Sequence, residues 1–248
     1  MRNILFVCLD SARYDTFEAS NARNMKAVGD LKKAHSVAVC TVPSIMAYLS
    51  GFPPIGAGRK DLFRRGKSGR YLWAPKFFSD LGWTTAWISS NPALLHLDSG
   101  IAGGFSRFFK YFKAMKYIKS PFGGRRSYTD QIVIDFEKIM ALEKRSVFIC
   151  ILSMDTHRPY NFAEGYCDID PKDPEKNFRN QVKAIEYFDS FFPRIIEPFR
   201  GRGKTDIIIT SDHGELFGPD YWSHDPTTPF LKFDEKLFEI PFITGEIS

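Results

Sequence analysis

The feature that most limits what this chain can become is the run Asp206-Ile207-Ile208-Ile209-Thr210-Ser211-Asp212-His213-Gly214-Glu215. Three consecutive isoleucines form a β-branched apolar stretch, which suits a strand buried on both faces of a sheet. The stretch passes directly into Ser211, Asp212, His213, Gly214 and Glu215, so polar groups collect at the strand's C-terminal end. In open α/β sheets that end borders the crevice where ligands bind. Asp212 offers an oxygen and His213 a nitrogen to a divalent cation, and Gly214 lets the backbone turn close beside them. The same residues also suit a solvated turn after a strand.

A second strand end of this kind stands at the N-terminus. Residues 4–9, Ile-Leu-Phe-Val-Cys-Leu, read as the first buried strand, and Asp10-Ser11-Ala12-Arg13-Tyr14-Asp15 follow it. A carboxylate at such a place is costly unless a cation neutralises it. Pairing with Arg13, or capping the next helix, would also settle Asp10. Residues 36–40 read as a short strand, and Thr41-Val42-Pro43-Ser44 lead into a helix starting near Pro43 or Ser44 and ending at Gly51. Thr41 then lies at or just before the helix N-terminus, where free N–H groups and the helix dipole stabilise an anion or a developing alkoxide. A hydroxyl held there beside a metal can be activated as a nucleophile. As a plain N-cap, Thr41 or Ser44 would serve structure alone.

The rest of the chain repeats the alternation of strand and helix. Residues 52–72 form a basic loop containing Lys60, of which one or two charges could meet an anionic substrate. A helix over 73–81 precedes a strand over 82–88, which Ser89-Ser90-Asn91-Pro92 closes. Residues 105–119 put Phe105, Phe108, Phe109, Phe112 and Met115 on one helical face with basic residues elsewhere. Such a helix covers a core or makes peripheral contact with an anionic membrane. A helix over 128–144 leads to a strand over 146–153, followed by Asp155, Thr156, His157 and Arg158. A charged loop (168–176), a long helix (177–200), the loop bearing His224 and a last strand (240–244) complete the pattern. It reads as one α/β domain over residues 1–248, a predominantly parallel sheet flanked by helices on both faces.

Composition narrows the partners. A net charge of +5 and a pI near 8.9 fit anionic substrates or surfaces. By themselves they do not point to nucleic acid. Cys8, Cys40, Cys150 and Cys167 show neither CxxC nor metal spacing, which fits a reducing compartment. No stretch reaches the roughly 20 apolar residues of a membrane span. The N-terminal run is too short for a signal peptide. On these grounds the expected location is cytoplasmic.

Asp10, Thr41, Asp155, His157, Asp212, His213 and His224 all fall at strand ends or in the loops just after them. In a doubly wound sheet those ends share one edge. Asp10, Asp212, His213 and the Thr41 hydroxyl would give one cation a mixed oxygen and nitrogen set, suited to Mn, Zn, Mg or Ca rather than to a thiolate site.

The ordered set of motifs resembles the alkaline phosphatase superfamily, and within it the sulfatase and phosphoglycerol- or phosphoethanolamine-transferase branch. The residues that carry this are 3–13 with Asp10, Thr41-Val42-Pro43-Ser44 with Leu49-Ser50-Gly51, residues 82–86 with Asn91-Pro92, Asp155-Thr156-His157-Arg158-Pro159-Tyr160, and Ser211–Glu215 with His224. The resemblance implies that Asp10, Asp212 and His213 bind metal, that Thr41 is nucleophile and ligand, and that His157 and His224 hold the anion or the leaving group. Arg13, Asn91, Arg158 and Lys60 are then the candidates for substrate binding. One essential cation is expected; Asp155, His157 and His224 could form a second site, which is not favoured.

A sulfatase using formylglycine would need Cys two places before Pro43 and Arg two places after it. Thr41 and Ile45 stand there instead. Ser11 replaces the second carboxylate often found beside the first. The expected activity is that of a metal-dependent phosphoester hydrolase or phosphotransferase passing through a phospho-threonine. A sulfuric ester hydrolase without formylglycine, and a catalytically weak module binding an anionic glycan or lipid, are the alternatives.

Overall fold

A computed structural model describes residues 1–52, 73–91, 105–109, 118–119, 125–126, 129–162, 165–166, 170, 172–218, 224 and 234–248. Its main sheet has 7 strands: β1 (Arg2–Leu9), β2 (Lys32–His35), β3 (Thr84–Ser89), β4 (Arg107–Phe109), β5 (Val147–Ser153), β6 (Lys204–Thr210) and β7 (Glu239–Ile247). Their order is β2-β7-β6-β1-β5-β3-β4. The five strands from β6 to β4 are parallel, and β7 and β2 add an antiparallel edge. The helices are α1 (Tyr14–Ala19), α2 (Arg23–Lys26), α3 (Thr41–Ser50), α4 (Ala74–Asp80), α5 (Thr129–Leu142) and α6 (Pro174–Ile196).

Side-chain alternation along the strands builds two separate cores. Leu5, Val7 and Leu9 of β1, with Ile149, Ile151, Ile207 and Ile209, meet Phe17, Met25, Phe136, Phe188 and Phe192 from α1, α2, α5 and α6. Phe6 and Cys8, with Phe148, Cys150 and Trp87, meet Ile45, Met46 and Leu49 of α3. Both faces are covered, so the central strands tolerate continuous apolar sequence. The register then decides where the site lies. Leu9 pairs with Ser153 and Cys8 with Thr210, so the loops after β1, β5 and β6 leave the sheet at one level.

Three elements differ from the sequence reading. The strand expected over 36–40 lies earlier, at Lys32–His35, and pairs antiparallel with β7. It is a polar edge strand, and charged edges protect against further pairing while giving no apolar signal. Among the described residues of 105–119 the helical pattern does not hold. Arg107–Phe109 form the parallel edge strand β4, and 118–119 pair with 125–126. Phe105 packs on Trp87 and Phe148 at 5.7 and 6.4 Å, so sheet packing overrides helical periodicity there. Residues 110–117 lie outside the described set. Finally, α6 begins at Pro174, because Asp173 caps it by accepting from Lys176 N at 2.8 Å and Pro174 fits the first turn.

The antiparallel edge is pinned by Glu239, which ion-pairs Lys236 at 2.8 Å and Lys33 at 2.7 Å. Those two lysines hold its carboxyl down, to about 2. Because the folded value lies below the ordinary 4.5, the stabilisation is present above that pH and is lost as pH falls towards about 2. Glu239→Gln is therefore expected to lower the urea midpoint at pH 7 and to flatten its fall between pH 4.5 and 2.

Candidate active site

Asp10 is the first residue beyond β1 and is fully buried. Its amide donates to Ser153 O at 2.9 Å, and its carbonyl accepts from Thr156 Oγ1 at 2.7 Å. Its carboxylate accepts from Asn91 Nδ2 at 2.7 Å and from Ser11 Oγ at 3.0 Å. Ser11 has φ +62°, a region that non-glycine residues enter at a cost. What holds it there is the bond from its N–H to Asp212 Oδ1, at 2.9 Å.

Asp212 and His213 follow β6 and are also fully buried. His213 Nδ1 lies 2.8 Å from Gly214 O. A carbonyl can only accept, so a proton sits on Nδ1 and Nε2 is the nitrogen turned towards the carboxylates. Nε2 is 3.4 Å from Asp212 Oδ2, 4.0 Å from Asp10 Oδ1 and 3.4 Å from Thr41 Oγ1. The backbone can pass so closely because Gly214 donates to Leu237 O at 2.8 Å, where an added Cβ would fall 1.8 Å from Lys236 O.

Thr41 is the first residue of α3, with Cys40 at the N-cap. The helix thus starts earlier than Pro43 or Ser44, and Thr41 is not its cap. Ser44 Oγ donates to Ala38 O at 3.3 Å, also not a cap. Tyr48, further along α3, donates to Ser211 O at 2.9 Å and ties the helix to the loop after β6.

Three donor atoms, one each from Asp10, Asp212 and His213, lie within 4.8 Å of one another. Asp212 Oδ2 is buried and has no hydrogen-bond partner. Burial, then the charge on Asp10, push the Asp212 carboxyl up. Burial works against Asp10 as well, but His157, His213 and His224 outweigh it and hold its carboxyl low. Two carboxylates packed this deeply need a positive partner. An orphaned carboxylate oxygen in an oxygen-oxygen-nitrogen set, with a hydroxyl beside it, fits a divalent cation.

A second cluster adjoins the first, and it corrects the expected composition. Its members are His157, Glu215 and His224, again with donor atoms within 4.8 Å. Asp155 is not among them; its Oδ2 accepts from Ser153 Oγ at 3.0 Å. Glu215 Oε1 lies 3.6 Å from His224 Nδ1 and 3.3 Å from Arg158 Nε, and Tyr160 donates to Oε2 at 3.2 Å. Burial raises the Glu215 carboxyl, yet His224, His157 and Arg158 together hold it to about 2. Glu215 in turn raises the His224 imidazole against its own burial. The His224 ring stands 4.3 Å from that of His213 and 5.1 Å from that of His157, so it joins the two clusters.

The expected substrate-binding residues are placed differently. Arg13 does not pair with Asp10. It ion-pairs Asp15 and lies 4.3 Å over the Phe217 ring, lining a cavity of about 660 Å³ with Phe178 and Arg179. Asn91 donates to Asp10, and Arg158 pairs with Glu215. Lys60 lies outside the described residues.

The sulfatase family profile matches residues 2–244. The chain belongs to the sulfatase family. As a member it is an enzyme, in keeping with the resemblance carried by its motifs. Solved structures share the fold at low identity. The C-terminal periplasmic domain of EcEptC from Escherichia coli, in complex with Zn, is 15% identical with a TM-score of 0.70, covering 98% of this chain and 72% of that one. The soluble domain of lipooligosaccharide phosphoethanolamine transferase A from Neisseria meningitidis is 13% identical with a TM-score of 0.73, covering 99% and 76%. The lipoteichoic acid synthase LtaP from Listeria monocytogenes is 15% identical with a TM-score of 0.67, covering 98% and 65%. No curated protein matches by sequence. The cytoplasmic expectation draws no support from these sulfatase-fold structures, which include periplasmic domains. No helix among the described residues is long and apolar enough to cross a membrane.

Proposed function

We propose that this chain is a metal-dependent phosphoester hydrolase or phosphotransferase with Thr41 as nucleophile. The observation that carries the reading is the approach of Thr41 Oγ1 to His213 Nε2, 3.4 Å, beside the orphaned oxygen of Asp212. Asp10, Asp212, His213 and the Thr41 hydroxyl would hold one divalent cation. When bound, that cation supplies positive charge to the phosphoryl oxygens and lowers the hydroxyl pKa. Thr41 Oγ1, its proton released to solvent water, attacks phosphorus from the N-terminus of α3, whose dipole favours the developing negative charge, and the bond from phosphorus to the ester oxygen breaks. His224, whose imidazole Glu215 raises against the opposing effect of burial, protonates the leaving oxygen, and His157 beside it holds the phosphoryl group. The phospho-threonine passes its phosphoryl group to water or to an acceptor alcohol.

One cation, at Asp10, Asp212 and His213, is the essential one in this reading; Glu215 Oε1 and His224 Nδ1, 3.6 Å apart and likewise without hydrogen-bond partners, offer the place for a second. A basic chain and relatives named for lipooligosaccharide and lipoteichoic acid support an anionic lipid headgroup or glycan as substrate.

The test is metal content and turnover on one purified sample, with bis-p-nitrophenyl phosphate and p-nitrophenyl sulfate as substrates. Bound cation with phosphodiester turnover is the expected result. Turnover of the sulfate ester alone would assign a sulfuric ester hydrolase without formylglycine. Neither cation nor turnover, after addition of Mn, Mg, Ca or Zn, would leave a module that binds an anionic glycan or lipid.

A further inference from the structure

We propose that Gln181, in the middle of α6, is a positioning residue that sets the spacing of the cation-binding loops. The inference rests on the cation site just described. Gln181 is 0% exposed on the buried face of the helix, which carries Asn177, Asn180 and Asp189 beside its apolar residues. An amide so placed is costly unless its hydrogen bonds are made. Gln181 makes four, and all go to the loops that leave β1 and β5 or to the first turn of α1. Its Nε2 donates to Ser11 O at 2.9 Å and to Thr156 O at 3.0 Å. Its Oε1 accepts from Arg13 N at 3.1 Å and from Thr16 Oγ1 at 2.6 Å. Two carbonyl partners on one side and two donors on the other fix the orientation of the amide.

Each loop it grips reaches the donor cluster one bond further on. Ser11, gripped by its carbonyl, turns its strained N–H onto Asp212 Oδ1 at 2.9 Å. Thr156, gripped by its carbonyl, donates its hydroxyl to Asp10 O at 2.7 Å and is followed directly by His157. The bond to Ser11 O supports the same φ +62° turn that the Ser11 N–H to Asp212 bond holds, so losing the clamp weakens the grip of Ser11 on Asp212. An isolated structural role would look different, and α6 supplies the example. Asp189 accepts from Met25 N at 2.7 Å and from Asn24 Nδ2 at 2.9 Å, stapling α2 without touching a donor residue of either cluster.

The experiment titrates metal-free protein with Mn²⁺ and, separately, Zn²⁺, by competition with a chromophoric chelator. Wild type is compared with Gln181→Glu, Gln181→Leu and Asp189→Asn, and circular dichroism checks each fold. Gln181→Glu keeps the volume and the acceptor contacts but presents a carboxylate to two carbonyls, so it carries the test if Gln181→Leu does not fold. Both Gln181 variants are expected to raise the Mn²⁺ Kd by roughly 10–100-fold, the cost typical of losing a partner behind a metal ligand. Their lost turnover should return in part at high Mn²⁺. Asp189→Asn is expected to lower the Tm and leave the Kd unchanged. Gln181 variants that bind Mn²⁺ as tightly as wild type would overturn this inference while leaving the site intact. A wild type that takes up neither cation would overturn the site and this inference together.

Discussion

Thr41→Ala is expected to lower kcat on a phosphodiester by at least about a thousandfold, as loss of a covalent nucleophile does elsewhere. The fold should survive. Thr41 is the first residue of α3, Cys40 holds the cap position, and alanine is a good helix former there. Its hydroxyl lies 3.4 Å from His213 Nε2 and also interacts with the Asp212 carboxylate, so the substitution removes the reacting group and few structural bonds. Two measurements check this: steady-state turnover, and mass spectrometry of protein quenched with substrate. Wild type should yield a phosphorylated peptide containing residue 41, and the alanine variant should not. Undiminished turnover in Thr41→Ala would remove Thr41 as nucleophile.

Asp212→Asn is expected to weaken Mn²⁺ binding by more than about a hundredfold, beyond the loss of even a supporting partner. In a chelator the same variant should be more stable than wild type. The reason is electrostatic. Wild-type Asp212 is buried, its Oδ2 has no hydrogen-bond partner, and the charge on Asp10 opposes its ionisation. Asparagine keeps an oxygen for Ser11 N and removes one of two like charges. The amide can also donate towards His213 Nε2, now 3.4 Å from the carboxylate. Thermal melts with and without Mn²⁺ separate the two effects. A chelator melt lower than that of wild type would mean that the carboxylate pair is not strained without its cation.

Much of this site could be read from residue types at the ends of apolar runs. Asp10, Asp212 and His213 each follow a run too apolar to be anything but a core strand, so their polarity stood out. Thr41 stood out less, because a hydroxyl before a helix serves equally well as a cap; the structure removes that alternative by giving the cap to Cys40. Asp155 drew the same inference as Asp10, yet it turns to Ser153 while Glu215 completes the second cluster. Strand-end position does not tell which of several nearby carboxylates points into the crevice.

The sequence alone determined the layered α/β architecture, because continuous apolar runs demand a sheet covered on both faces. It also determined the residue types available at the sheet's edge. The tertiary structure alone decided which of them meet. The register of β1 against β5 and β6 sets three loops at one level, and Gln181 reaches Ser11 across 170 positions of sequence. Local propensity carries no information about contacts so distant. They follow from how α6 packs on the sheet, and that packing is a property of the whole core.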